Sequence, residues 1–247
     1  MSDSTLGAVR GAQPGDGDAP LDLAIGAGLT VLLGNDEERL VRYLQMVAGV
    51  IPAARGEVTL LGASPSADEY GGRALRRCVG YVTPRAPLLS VLDGVRNVML
   101  PALYHFDVNE QTLMLQVQRL LEQMGGGYDH RVLPAFMPEL QQRMLLLARA
   151  LILEPGLLFI EQPLLGLDNR SRVRLREYIL TAVAPGVRAL VVASNDPLLA
   201  AAARQVVFIG AERQWLFANW TQLRTSGVPE VREFVEREQH VCSAFED

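Results

Sequence analysis

The sequence predicts an α/β fold with a mainly parallel central sheet. Short apolar runs that fit strands alternate with helix-like segments towards both ends of the chain, which is typical of parallel sheets covered by helices. Between about residues 84 and 138 the pattern is nearly all helical, and this predicts a helical subdomain inserted into the α/β core. Hydrophobic residues make up 49 % of the 247 and charged residues 21 %, enough apolar material for a sizeable core.

The N-terminal elements are predicted first. Residues 11–20 are rich in Gly, Pro and Asp, so residues 1–20 are expected to form a disordered leader. Residues 21–25 are a short apolar run, and residues 29–33 fit a buried strand that ends at Gly34. A helix should follow and stop near Gly49, because apolar residues recur at helical spacing. These residues are Leu40, Val41, Leu44, Val47 and Ala48.

The same signals predict the remaining elements. Further strands are expected at residues 57–61, 79–83, 157–160, 188–193 and 205–209. Further helices are expected at residues 93–100, 109–124, 138–153, 170–184, 197–203 and 228–239. The expected organisation is therefore a leader at residues 1–20, one α/β domain at residues 21–225 and a helical tail at residues 226–247.

Composition excludes several classes of function. The net charge of −5 and the pI of about 5.3 do not fit a nucleic-acid-binding protein. Cys78 and Cys242 match no metal spacing, the three histidines are scattered, and no metal site is expected. No run of 18 apolar residues predicts a membrane helix, and the N-terminus does not resemble a signal peptide.

Several landmarks, in one order and at matching spacing, resemble those of ATP-binding-cassette (ABC) ATPases over roughly residues 21–220. They are the loop and helix at 34–49, Gly56-Glu57-Val58, the strand at 79–82, residues 95–98, the helix at 141–151, the strand at 157–163, the D-loop at 165–168 and Ser194-Asn195-Asp196. The resemblance implies a P-loop fold with an N-terminal β subdomain and an inserted helical subdomain. It also implies ATP and Mg²⁺ as the cofactors of the family.

The phosphate loop departs from the family pattern. That pattern needs glycines whose N–H groups cradle phosphate, a Lys for the β- and γ-phosphates and a hydroxyl for Mg²⁺. Here Gly34 and Asn35 open the loop, Arg39 stands at the second glycine, Leu40 at the Lys and Val41 at the Ser or Thr. The sequence therefore predicts that no nucleotide cofactor and no metal are bound.

Asp36, Glu37 and Glu38 add negative charge to the same loop. A pair of unit charges about 5 Å apart interacts by roughly 3 kcal/mol at an effective dielectric constant of about 20, so these acids oppose a polyphosphate. One hypothesis is that their carboxylates occupy the anion site. Ordinary helix capping also fits, with Asn35 as N-cap and Glu38 completing a near-match to a capping box, and both interpretations are expected to hold together.

The other catalytic positions depart as well. Pro84 replaces the Q-loop glutamine, and Met137, Pro138 and Glu139 lie within the aligned signature, although Pro138-Glu139 also fits a plain helix start. The remaining positions are Glu161 and Gln162 for the Walker B pair, Asn195 for the switch histidine, and Asp168 and Asp196, which are retained. From these losses the chain is expected not to be an enzyme.

The departures predict a catalytically inactive subunit, structural or regulatory, and the resemblance implies that it is peripheral to the cytoplasmic face of a bacterial inner membrane. Its partners would be an ABC permease subunit and either a competent ABC ATPase subunit or a second copy of the chain, with no nucleic acid. Two alternatives stay open: an ATP-binding subunit with weak, non-standard ATPase activity, and a stand-alone cytosolic adaptor.

A further resemblance lies near the C-terminus. Ser226, Pro229, Val231, Arg232 and Phe234 resemble a pattern in the ATPases of mammalian-cell-entry (MCE) lipid transporters. This implies a bacterial lipid or hydrophobic-solute transporter. The alternative is an amphipathic helix that packs on its own domain.

Overall fold

The structure is a computed structural model and describes residues 5–65, 69–84, 86–124, 131–183 and 187–243. Its strands are β1 (Gly7–Gln13), β2 (Leu21–Ile25), β3 (Gly28–Leu33), β4 (Arg55–Leu60), β5 (Val79–Val82), β6 (Leu157–Glu161), β7 (Ala189–Ala193), β8 (Gln205–Ile209) and β9 (Gln214–Phe217). Its helices are α1 (Glu37–Val47), α2 (Glu69–Cys78), α3 (Gly94–His105), α4 (Glu110–Gln123), α5 (Glu139–Leu151), α6 (Asn169–Tyr178), α7 (Pro197–Ala202), α8 (Trp220–Arg224) and α9 (Pro229–Ser243).

The chain folds into two compact units. The first unit comprises Met1–Gly72 and Ala189–Asp247, and the second unit comprises Arg73–Arg188. In the first unit β3 lies between β7 and β8 and is parallel to both, while β9 pairs antiparallel with β8. In the second unit β5 and β6 are parallel. Parallel strands thus dominate the α/β part of each unit, as the sequence predicts.

A three-stranded antiparallel sheet begins the first unit, in the order β2-β1-β4. The prediction of a disordered leader over residues 1–20 is wrong for the described part of that segment, because β1 is the central strand and pairs on both edges; residues 1–4 lie outside the described residues. Leu6, Val9 and Ala12 are buried there. The pairing shifts register near Gly11, whose φ is +55°, and a Cβ on Gly56 would lie 2.3 Å from the Gly11 carbonyl oxygen. The glycine content that suggested disorder therefore serves a β-bulge.

Helix α1 follows β3 and buries one face. Leu40, Leu44 and Val47 are almost fully buried, in agreement with the helical spacing of the sequence. The helix ends at Val47, and Gly49 follows with a φ of +73°, so the expected stop is confirmed.

The second unit holds most of the described helices. Of the described residues between 84 and 138, none lies in a strand; they contain α3, α4 and a 3₁₀ turn at Pro134–Phe136. Asn97, whose side chain is fully buried, fixes the turn before α3. Its Oδ1 accepts from the Leu89 N–H at 2.7 Å, and its Nδ2 donates to the carbonyls of Leu89, Leu92 and Asp93.

No helix in the described part of the chain is long and apolar enough to cross a bilayer.

Candidate functional site

The β3–α1 loop places Gly34 against β8. A Cβ at Gly34 would lie 2.5 Å from the Ile209 carbonyl oxygen, so this position requires glycine. Asp36 is the N-cap of α1, and its Oδ1 accepts a hydrogen bond from the Arg39 N–H at 3.0 Å. The prediction that Asn35 caps the helix is therefore wrong. The Asn35 Oδ1 is buried and has no hydrogen-bond partner among the described residues.

The residues at the lysine and hydroxyl positions lie in the core. Leu40 is 1 % exposed and Val41 is 6 % exposed. Neither carries a polar group, and every one of the 23 basic residues of the chain is Arg. The loop can therefore meet a phosphate with main-chain N–H groups at the start of α1, but not with a lysine.

The three acids of the loop have different roles. The Asp36 carboxylate caps α1, whereas Glu37 and Glu38 are exposed in the first turn of that helix. Arg39 lies beside Asp36, with 3.9 Å between the guanidinium and the carboxylate. Capping thus accounts for Asp36, and the favourable charge at a helix N-terminus accounts for Glu37 and Glu38.

Asn195, two residues after the end of β7, is hydrogen-bonded to the first residue of the β3–α1 loop. The Gly34 N–H donates to Asn195 Oδ1 at 3.0 Å, and Asn195 Nδ2 donates to the Gly34 carbonyl at 3.0 Å. The residue after it, Asp196, caps α7 by accepting from the N–H groups of Leu198 and Leu199. An amide can make this reciprocal pair because it carries both a donor and an acceptor.

Glu161 ends β6 inside the second unit and is 1 % exposed. Its Oε2 accepts from the Tyr81 hydroxyl at 2.7 Å, while its Oε1 is buried and has no hydrogen-bond partner among the described residues. A buried carboxylate oxygen without a donor is costly, and a bound cation or water would satisfy it. Tyr81 was not predicted as a site residue, although a lone phenol in an apolar strand was a usable signal.

Gln162 follows Glu161 with a φ of +37° and an exposure of 8 %. This left-handed conformation is uncommon for a residue other than glycine and indicates local strain. Its carbonyl accepts from the Leu165 N–H at 3.1 Å, which starts the D-loop turn.

The signature region forms the start of α5. Pro138 precedes the helix and Glu139 is its first residue, so the interpretation as a helix start is confirmed. Glu139 forms an ion pair with Arg143 at 2.8 Å, and the same guanidinium donates to the Leu165 carbonyl at 3.1 Å. Met137 is buried, and its carbonyl accepts from Gln142 Nε2.

Asp168 is the N-cap of α6. It accepts from the Ser171 hydroxyl at 2.6 Å and from the Ser171 N–H at 3.0 Å, and these hydrogen bonds lower the pKa of the Asp168 carboxyl. Gly166, with a φ of +77°, makes the preceding turn possible.

The predicted site residues fall into two groups. The first unit holds Gly34, Asn35, Glu38, Arg39, Leu40, Val41 and Asn195. The second unit holds Pro84, Met137, Pro138, Glu139, Glu161, Gln162 and Asp168. Within the described ranges, no three His, Cys, Asp or Glu side chains form a metal-binding cluster.

The parallel strands with their inserted helices, and the loops at β3–α1, after β6 and before α5, define an ABC ATPase-like cassette. No protein-family model matches the chain. In sequence it is 29 % identical to the uncharacterized ABC transporter ATP-binding protein YbbA of Escherichia coli K12, over 196 residues that cover 76 % of this chain and 86 % of YbbA. It is 26 % identical to the lipoprotein-releasing system ATP-binding protein LolD of Alcanivorax borkumensis, over 67 % of this chain and 76 % of LolD.

Two solved structures show the same fold. CbiO1 of Clostridium perfringens, part of the ABC transporter complex CbiONQ, superposes with a TM-score of 0.77 and 18 % identity, over 98 % of this chain and 99 % of CbiO1. The ATP-binding cassette MJ0796, in a post-hydrolysis dimer with ADP and Pi, superposes with a TM-score of 0.73 and 16 % identity. The superposition covers 85 % of this chain and 97 % of MJ0796. The chain is thus related to the ATP-binding proteins of ABC transporters and has their fold.

These comparisons contradict the prediction that the chain is not an enzyme. Its relatives are ABC transporter ATP-binding proteins, a class of ATPases, and a cassette of the same fold has been captured after hydrolysis. The replaced side chains describe an unusual site, and they do not show that the chain lacks activity.

Proposed function

We propose that the chain is the ATP-binding subunit of an ABC transporter, that buried Glu161 binds Mg²⁺, and that the chain holds nucleotide weakly. The permease subunit would be its membrane partner, as CbiO1 belongs to a transporter complex. The observation that carries the proposal is Glu161, a buried carboxylate whose Oε1 has no protein donor among the described residues.

The available groups fit the cofactor in part. Glu161 has the chemistry that a divalent cation requires, since carboxylate oxygens are preferred ligands of Mg²⁺. Tyr81 holds the other oxygen of this carboxylate at 2.7 Å and so orients it. At the β3–α1 loop the N-terminus of α1 can receive phosphate through N–H groups. Buried Leu40 supplies no charge there, so the affinity should be low.

The solute is proposed to be a lipid or another hydrophobic molecule. The relative LolD serves a lipoprotein-releasing system, which supports this class of cargo. The resemblance of residues 226–234 to the ATPases of MCE lipid transporters is weaker support for a lipid cargo, because Val231 and Phe234 have a structural role. Both are buried in the first unit, and the Phe234 ring packs edge-on against Phe208 with 5.6 Å between centroids.

Titration of the full chain with Mg·ATP, and with ATP in the presence of a chelator, tests the proposal. We expect weak binding that needs Mg²⁺. Glu161→Gln should remove the dependence on Mg²⁺, because an amide binds the cation poorly while its oxygen still accepts from Tyr81. Phosphate release measured on the same samples reports activity. If neither protein binds Mg·ATP, or if the chelator leaves the affinity unchanged, the proposal is wrong.

The double variant Glu37→Gln with Glu38→Gln tests the role of the loop. Each exposed charge opposes polyphosphate by roughly 1 kcal/mol, so Mg·ATP should bind about tenfold or more tightly to the variant. Glu110→Gln is the matched control, since Glu110 is likewise an acid in the first turn of a helix, α4. An equal gain in the control would show that the nucleotide does not contact the β3–α1 loop.

A further inference from the structure

A cavity of about 330 Å³ in the second unit shares Tyr81 with the proposed nucleotide site but is not lined by Glu161. It opens between α2, β5, α3 and α5, and it combines apolar walls with an unusual number of cations. Its lining residues include Arg76, Arg77, His105 and Arg149, with Val82 and Leu146 among the apolar ones. None of the described residues that line it is Asp or Glu.

The cavity arginines have no carboxylate partner within the described ranges. Arg149 is half-buried on α5 and donates to the Pro87 carbonyl at 3.2 Å. Burial lowers the pKa of Arg149, which means that its guanidinium has lost water without gaining a counter-ion. An anion in the cavity would restore the lost stabilisation.

Aromatic contacts position two of the basic side chains, Arg77 and His105. The Arg77 guanidinium lies over the Phe106 ring, 5.4 Å from its centroid, and the Tyr104 ring meets His105 edge-on at 4.9 Å. Burial lowers the pKa of His105, and Arg77 and Arg76 lower it further, so the imidazole is surrounded by positive potential. The binding groups are thus partly pre-organised.

The number of cations selects the kind of anion. Three guanidinium groups outnumber a single carboxylate, whereas a phosphate monoester carries nearly two charges and three acceptor oxygens. Arginine suits this group because its N–H donors match the phosphate oxygens in pairs. The cavity volume exceeds that of a phosphate ion, and the apolar walls would accept an organic group beside it.

We propose that this cavity binds the phosphate of an organic phosphate monoester, with Arg76, Arg77 and Arg149 holding the phosphate and the walls of β5 and α5 holding an apolar group. This ligand is distinct from the nucleotide. It can come from a free phosphorylated metabolite or from a lipid headgroup, and both present the same chemistry.

Binding of phenyl phosphate, inorganic phosphate and benzoate to the full chain tests the site. Phenyl phosphate should bind most tightly, since it has both the dianion and the apolar ring, and its addition should raise the pKa of His105 measured by NMR. Arg149→Gln and Arg76→Gln should each lower the affinity for phenyl phosphate about tenfold. Arg119→Gln, the same change at an exposed site on α4, should leave the affinity unaltered.

Thermal unfolding shows whether each variant is folded, and exposed Arg76 provides a test if Arg149→Gln is unstable. The proposal would be overturned if Arg119→Gln weakened phenyl phosphate binding as much as the cavity variants do. It would also be overturned if binding depended on Glu37 and Glu38 instead of the arginines, or if no binding were seen. Vesicles of phosphatidylcholine with and without phosphatidic acid then identify the source. Adsorption that requires phosphatidic acid and Arg76 indicates a headgroup; phenyl phosphate binding alone indicates a soluble ester.

Discussion

Tyr43 carries a hydroxyl into the core of the first unit. Its side chain is fully buried on α1, where the hydroxyl donates to the Ala19 carbonyl and accepts from Gln214 Nε2 at 2.8 Å. Gln214 Oε1 in turn accepts from the Gly210 N–H at 3.0 Å. Burial, and then the nearby Asp18 carboxylate, raise the pKa of Tyr43 from 10.0 to about 12. A chain of buried polar groups therefore joins three separate segments.

Tyr43→Phe is expected to lower the free energy of unfolding by about 1–3 kcal/mol, because the Ala19 carbonyl and Gln214 Nε2 lose their partner. Urea unfolding at neutral pH measures this. Tyr104→Phe is the control, since the Tyr104 side chain is 80 % exposed and its loss should have almost no effect.

The same residue predicts a dependence on pH. A folded-state pKa above the unfolded value means that the neutral phenol stabilises the fold fully below about pH 10, and this stabilisation is lost as the pH rises to about 12. Half-buried Tyr178, whose pKa burial also raises to about 12, contributes in the same direction. The loss of stability should be smaller in Tyr43→Phe, and an equal loss in both proteins would contradict the assignment to Tyr43.

Contacts between distant residues account for what the sequence could not predict about the site. Motif spacing predicts the positions of Leu40, Val41 and Gln162 in the site, and that assignment rests on the sequence alone. The Tyr81–Glu161 hydrogen bond joins residues 80 positions apart, and the Gly34–Asn195 pair joins residues 161 positions apart. No local pattern encodes such partners, so their geometry needed the structure.

At the scale of elements, fully buried strands and amphipathic helices were predictable because their periodicity lies within one segment. Strand β6, with five buried residues in a row, and helix α1 are examples. Strand β1 was missed because its bulge glycines imitate a disordered composition, and its pairing with β2 and β4 depends on residues elsewhere. The cap of α1 was misplaced by one residue because Asn35 and Asp36 are both good N-cap residues.

The end of α1 gives an element-scale prediction. Gly49 has a φ of +73°, and an added Cβ would lie 2.2 Å from the Pro65 Cβ. Gly49→Ala should cost about 3 kcal/mol, since it combines a left-handed conformation with a steric clash. Gly62→Ala isolates the conformational cost, because Gly62 has a φ of +81° and open space around its Cβ position. Chemical denaturation of both variants should separate them by about 1–3 kcal/mol, and equal costs would exclude the clash.

For the whole molecule, the net charge of −5 hides an uneven distribution. The first unit has 18 acidic and 9 basic residues, whereas the second has 10 acidic and 14 basic residues. Anionic ligands should therefore meet opposite electrostatic environments in the two units.

Salt tests this difference. Between about 50 and 300 mM NaCl, screening should weaken phenyl phosphate binding at the arginine cavity and should leave Mg·ATP affinity unchanged or improved at the acidic β3–α1 loop. Titrations of both ligands at the two salt concentrations measure the slopes. If Mg·ATP binding weakened as steeply as that of phenyl phosphate, the nucleotide would be bound by several cations, whereas the loop offers Arg39 alone.

The central position of β1 matters to anyone shortening this protein for expression. Removal of residues 1–20 as a dispensable tail would delete the strand that β2 and β4 share, together with buried Leu6, Val9 and Ala12. Two bare backbone edges and an uncovered apolar surface would then face solvent, a combination that promotes self-association and insoluble material.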